Sequence, residues 1–153
     1  MTKEGVRMNG YSACLNGVNC KYNGKNNLRE DIRQKYETEG GVLLCPEQAG
    51  GLGIPHPPSE IETGYDGSDV LAGRAKVLSC DGADVTAAFV EGARRTLEKV
   101  LNSGVKTVYL KQSSPSCGCG LIYDGTFSGK KISGDGVTAA LLKQHGIEVI
   151  PVD

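Results

Sequence analysis

Residues 84–111 read DVTAAFVEGARRTLEKVLNSGVKTVYLK. Phe89, Ala93, Leu97 and Leu101 recur at every fourth position, the stripe of an amphipathic helix; Asp84 can cap its start and Gly104 ends it. KTVYLK follows at once as a strand. A helix handing over directly to a short apolar strand is the repeating step of an α/β chain, and the flanking sequence carries the same step in both directions.

Upstream, residues 6–13 form a weakly apolar first strand, followed by a polar loop to about Asn27. LREDIRQKYETEGG sets Leu28, Ile32 and Tyr36 on one helical stripe closed by Gly40 and Gly41, and VLLC is the short apolar run of a buried parallel strand. CPEQAGGLGIPHPPSEIETGYDGSD, residues 45–69, has four prolines and reads as a long loop; loops of that length are usually functional when ordered. Ala75 to Ser79 is a further strand. Downstream, LIYDGTFSGKKIS is a hairpin turning at Asp124 and Gly125, DGVTAALLKQHG a last helix and IEVIPV a last strand. His145, near the end of that helix, suits the negative end of its dipole and reads as structural. The alternation predicts a three-layer, Rossmann-like α/β fold with a mostly parallel sheet, and 153 residues form one domain, 1–153.

Seventeen Lys and Arg stand against 18 Asp and Glu, a net charge of −1, so nothing favours nucleic acid or an anionic membrane as a partner. Residues 1–14 contain no apolar leader, and no apolar run approaches the roughly 20 residues that span a bilayer. The expectation is a soluble, cytoplasmic protein, whose six cysteines are then thiols, metal ligands or catalytic groups and not a disulfide framework.

Three of those cysteines fall at strand ends. Cys14 follows the first strand, Cys45 ends the second, and Cys117 lies in QSSPSCGCG after KTVYLK. Loops leaving the carboxyl ends of parallel strands gather on one edge, where ligands bind, so three thiols distant in sequence meet there. Around them stand Asn16, Gly17, Asn19, Asn23 and Gly24, then Pro46, Glu47, Gly50 and Gly51, then Ser113 to Ser116 and Gly118: small residues and amide or hydroxyl donors suited to a bound inorganic group. Thiolates suit zinc or an iron-sulfur cluster. A lone cysteine at a strand end is often simply a small hydrophobe, the reading kept for Cys80; Cys20 and Cys119 are spare thiols, each either a fourth ligand or incidental.

SACLNG with KYNG, then CPEQAGGLGIPHPPSEI, then LKQSSPSCG resembles the thiouracil desulfidase family of small iron-sulfur proteins, from about Ser12 to the C-terminus. The resemblance implies a 4Fe-4S cluster held by Cys14, Cys45 and Cys117 with one iron not ligated by protein, and hydrolytic removal of sulfur from a small thiouracil-like thiocarbonyl compound with release of hydrogen sulfide. It makes Glu47 and Ser114 candidates for proton transfer and substrate positioning. Glu47 is also the carboxylate nearest a ligand in sequence, although such a residue can equally cap or salt-bridge its own loop, and Ser-Pro-Ser is ordinary turn chemistry. Two positions depart from the family pattern, His56 for arginine and Asn23 for aspartate. The rival readings are a zinc-stabilised binding module using Cys14, Cys20, Cys45 and Cys117 or Cys119, and a thiol redox enzyme using Cys117 and Cys119.

Overall fold

In the computed structural model residues 8–153 are described. Residues 6 and 7 of the expected first strand lie outside that range, and the strand itself, β1, runs Asn9–Ser12. A 3₁₀ turn at Ala13–Asn16 leads through a polar loop to α1, Glu30–Glu39, and β2, Gly41–Leu44. Then come α2 (Pro46–Ala49), β3 (Ser59–Ile61), α3 (Gly67–Leu71), β4 (Val77–Ser79), α4 (Thr86–Ser103) and β5 (Thr107–Lys111). The chain finishes with β6 (Leu121–Tyr123), β7 (Lys131–Ser133), α5 (Val137–Gln144) and β8 (Glu148–Val152).

The central sheet has the order β2-β1-β5-β8 with every pairing parallel. Its side chains alternate between two helical layers, as pleating demands. Leu44, Val108 and Leu110 join Leu97 and Val100 of α4 and Ala139 and Leu142 of α5 in one core. On the opposite face Tyr11 and Val152 pack with Ile32, and Tyr36 of α1 lies against them. Tyr11 stacks on Tyr109 at 5.3 Å between ring centroids and meets Tyr36 edge-on at 5.9 Å, which pins α1 over the strand pair. The result is the expected three-layer α/β architecture.

Several local expectations are corrected. Residues 45–69 are not all loop, because α2, β3 and the start of α3 lie within them. β3 has only three residues behind Pro57 and Pro58, too little for a periodic pattern. Its partner β4 was expected within the main alternation, yet β3 and β4 pair antiparallel in a separate two-stranded sheet. That small sheet serves a second core, where Ile61 and Val77 bury against Phe89 and Ala93 of α4. The β6–β7 hairpin closes through Asp124 to Lys130 and not through a two-residue turn.

In α4 the buried face is Phe89, Gly92, Ala93, Thr96, Leu97 and Val100, while Leu101 is 52% exposed. A strict interval of four overshoots the 3.6-residue turn by about 40° per step, so the third step has rotated off the core. Asp84 acts one residue before the helical cap position, its carboxylate accepting from Thr86 N at 3.0 Å. Leu28 precedes α1 and is exposed, leaving Ile32 as that helix's buried residue. His145 does close α5, with Nδ1 3.0 Å from the Leu141 carbonyl oxygen. No helix among the described residues is long and apolar enough to cross a membrane.

α2 meets α4 backbone to backbone. A Cβ at Gly92 would stand 2.0 Å from the Pro46 carbonyl oxygen, and one at Gly50 2.0 Å from that of Ala88. Only hydrogen fits at both positions, and the contact fixes the turn that carries Cys45 and Glu47. Gly92→Ala should therefore cost about 1–3 kcal/mol by overpacking, despite alanine's better helix propensity, read as a lower urea midpoint. A midpoint at or above the parent's would show that the two helices are free to separate.

A candidate cysteine-rich cofactor site

The site forms where the sheet topology reverses. The chain leaves β1 towards α1 on one face and leaves β5 towards α5 on the other, opening a crevice at their carboxyl ends. A cleft of about 650 Å³ lies there, lined by Cys14, Cys45 and Cys117 together with Glu47 and Ser114. All five residues singled out in the sequence thus reach one cavity. Cys14 sits in the 3₁₀ turn after β1, Cys45 immediately before α2, and Cys117 in the loop after β5.

Cys20 belongs with them. It is buried and lines the same cleft, its thiol interacts with those of Cys14 and Cys45, and the Cys45 sulfur lies 3.7 Å from the Cys20 carbonyl oxygen; its one S–H can serve only one of those sulfurs at a time. The Cys20 thiol is the main reason the Cys14 thiol is lowered to about 7, with help from the Asn27 amide at 3.5 Å and the charges of Lys111 and Lys21. Cys45 is lowered from its ordinary value by the same Cys20 thiol, while Cys20 itself is raised beside both. Burial pushes the Cys117 thiol up, and the negative charges of Cys14, Glu47 and Cys45 add to that; the Ser12 hydroxyl acts in the opposite direction. A cationic group among these sulfurs would relieve their mutual repulsion.

Cys119 is elsewhere. Its sulfur contacts the Val149 carbonyl oxygen at 3.7 Å within the α4/α5 core, and its backbone is clasped by Gln112 on both sides. Cys117 borders that core too, but it lines the cleft and Cys119 does not, which leaves Cys119 unsuited to a fourth ligand. Cys80, read from the sequence as structural, is exposed and lies on the cleft wall. Among the described residues no three His, Cys, Asp or Glu side chains converge closely enough for a single metal ion.

Glu47 occupies the first turn of α2, and its Oε1 lies 3.1 Å from Nε2 of His56, an ion pair within its own loop. Ser114 Oγ accepts from the amides of Ser116 at 3.0 Å and Cys117 at 2.8 Å, so it shapes the turn that presents Cys117. Its hydroxyl proton is left for another acceptor. Sequence reasoning assigned no role to Tyr123 and Phe127, which also line the cleft, and none to Ser12, Lys21, Tyr22 and Lys111, although these four stand inside the motifs quoted above. Nothing local marks Tyr123 and Phe127: they reach the site through hairpin docking, as when Glu60 takes the Gly125 and Phe127 amides.

Thiols gathered at the topological switch point of a parallel α/β sheet place this chain among α/β proteins whose ligand crevice is lined by cysteine. The sequence model of the 2-thiouracil desulfurase family matches residues 10–153, and the chain belongs to that family. It is 50% identical over 139 residues to YbbK of Bacillus subtilis strain 168, an uncharacterized protein, covering 91% of each chain. The solved structure of the 4Fe-4S-dependent thiouracil desulfidase TudS superposes with a TM-score of 0.82 at 38% identity, over 95% of this chain and 90% of that one.

The double amide bond of Ser114 has a measurable consequence. Ser114→Ala should lower stability by about 1 kcal/mol, read by urea denaturation, and Ser114→Asn, which can accept the same bonds, should recover most of it. An alanine variant as stable as the parent would mean that the turn holds without its side chain.

Proposed function

We propose that the protein is an iron-sulfur-dependent desulfidase that hydrolyses the thiocarbonyl of a thiouracil-like compound to a carbonyl and hydrogen sulfide. The observation that carries this reading is the meeting of three strand-end thiols at one cleft beside a carboxylate. Cys14, Cys45 and Cys117 would hold a 4Fe-4S cluster, and their donor chemistry fits it: soft sulfurs, two of them already shifted towards thiolate. When bound, the cluster would supply a Lewis-acidic iron not ligated by the protein.

The chain's own residues supply the rest. Glu47 is the base that takes a proton from the water adding to the thiocarbonyl carbon, and it returns that proton to the departing sulfur. Water contributes one oxygen and two hydrogens, C=S becomes C=O, and no electron changes hands. Ser114, with its oxygen committed to two amides, donates its hydroxyl proton towards the substrate. Tyr123 and Phe127 on the cleft wall offer aromatic surface to a planar ring. Partners beyond such a small thiolated compound are not needed for this chemistry.

Protein purified and reconstituted without oxygen should be brown, with about four irons and four sulfides per chain. Stoichiometric zinc without visible absorbance would instead establish the binding-module reading. Cys14→Ser, Cys45→Ser and Cys117→Ser should each lose the iron, whereas Cys80→Ser should keep it. Iron retained by any of the first three refutes the triad.

The loaded protein should convert 2-thiouracil to uracil with stoichiometric sulfide. Glu47→Gln should keep the visible spectrum while turnover falls roughly a hundredfold to ten-thousandfold, the usual contribution of a general base. Near-parental turnover by a loaded Gln variant would remove Glu47 from that role.

A further inference from the structure

The loop at residues 50–58 does more than connect α2 to β3, because it turns one side chain back onto the candidate base. His56 is anchored from two sides. Its backbone N–H donates to the Tyr22 carbonyl at 2.8 Å, and its Nδ1 lies 2.9 Å from the Pro57 carbonyl oxygen. A carbonyl oxygen can only accept, so Nδ1 carries a hydrogen, and the other ring nitrogen is directed at Glu47 Oε1, 3.1 Å away. The His56 side chain is 9% exposed and that of Glu47 23%, so the pair is well shielded from solvent screening.

We propose that His56 is a positioning residue for the desulfidase reaction: as an imidazolium clamped by Pro57, it holds Oε1 of Glu47 and leaves Oε2 directed to the attacking water. The proposal rests on the function inferred above. With Nδ1–H engaged, a hydrogen bond from Nε2 to a carboxylate requires both nitrogens protonated, so the geometry itself selects the charged ring. The groups facing the ring are Glu47 from α2, the Cys45 sulfur before it, and Tyr22 from the Cys20 loop, whose ring centroid lies 6.3 Å off. Glu47 raises the histidine above its ordinary range, principally through that hydrogen bond, against the opposing effect of burial.

One carboxylate oxygen held by a fixed cation gives the other a single direction, and a misplacement of about 1 Å can cost a hundredfold in rate. Arginine at position 56 would meet that requirement without titrating, since a guanidinium stays charged and donates from a planar fork.

The test compares His56→Gln and His56→Arg in cluster-loaded protein, both matched to the parent in iron content and melting temperature. His56→Gln, a neutral donor, should lower kcat about tenfold to hundredfold with KM little changed. His56→Arg should recover most of that loss, and the alkaline fall in its kcat profile should move up by more than about one pH unit, because its cation does not titrate there. A Gln variant with parental kcat, or an Arg variant no better than Gln with an unmoved alkaline limb, overturns the proposal. Imidazole nitrogen NMR gives a reading independent of turnover: both nitrogens of His56 should be protonated near neutral pH, and Glu47→Gln should shift loss of the Nε2 proton to lower pH. An unmoved titration in that variant equally overturns it. Parent protein inactive on 2-thiouracil would instead count against the proposed function, so the two failures are separable.

Discussion

The structure depends on β1 being held between β2 and β5 with all three strands parallel. Parallel pairing puts every carboxyl end on the same edge, and that alone makes residues 14, 45 and 117 neighbours. The register is strongly specified. Tyr11 must face α1, where it stacks on Tyr109, while Gly10 must face α4 and α5, where a Cβ would stand 2.7 Å from Val108. A slip of one residue would exchange those faces, burying a phenol where no side chain fits.

From that edge the chemistry follows by proximity. Five cysteines, two lysines and two glutamates line a partly enclosed cleft, and the lysine charges help lower the Cys14 thiol there. The Cys20 thiol is raised beside those of Cys14 and Cys45 while both of theirs are lowered, so the proton of this trio favours Cys20. Glu47 adds a further negative charge and is answered by His56 from the same loop. The backbone carries strain in this region as well: among the described residues Ser113 and Phe127 are the non-glycine residues with positive φ, at 78° and 55°, and Ser113 Oγ is buried without a hydrogen-bond partner. Such costs persist only where surrounding packing enforces them, as the docked hairpin and the Gln112 clasp do here.

Second cores and close backbone contacts hold the site rigid from behind. The β3–β4 pair covers the first half of α4, and α4 in turn receives α2 through Gly50 and Gly92. The same device recurs where Gly136, at the start of α5, meets the Ser116 carbonyl, and where the Ser116 and Thr138 hydroxyls bond at 2.8 Å. Both loops that carry thiols after β2 and β5 are therefore braced by glycine contacts that tolerate no extra atom. Precise placement of a cofactor ligand on a loop requires such support.

Local sequence determined the strands β1, β2, β5 and β8, the helices α1, α4 and α5, and the three strand-end cysteines, because each depends on periodicity or on position relative to an apolar run. It also placed Glu47 and Ser114 beside two of those cysteines, since adjacency in sequence was all the placement required. The antiparallel β3–β4 pair was invisible, being two three-residue segments whose stability comes from each other and from Phe89 and Ala93. Leu101 and Leu28 were misread because a stripe of fours takes no account of where the helix begins or how it rotates over its partner. The contact of His56 with Glu47, the approach of Cys20 to Cys14 and Cys45, and the burial of Cys119 away from the cleft were decided by tertiary structure alone. Each is a matter of side-chain direction across a loop, and no periodicity records the direction in which a loop turns back on itself.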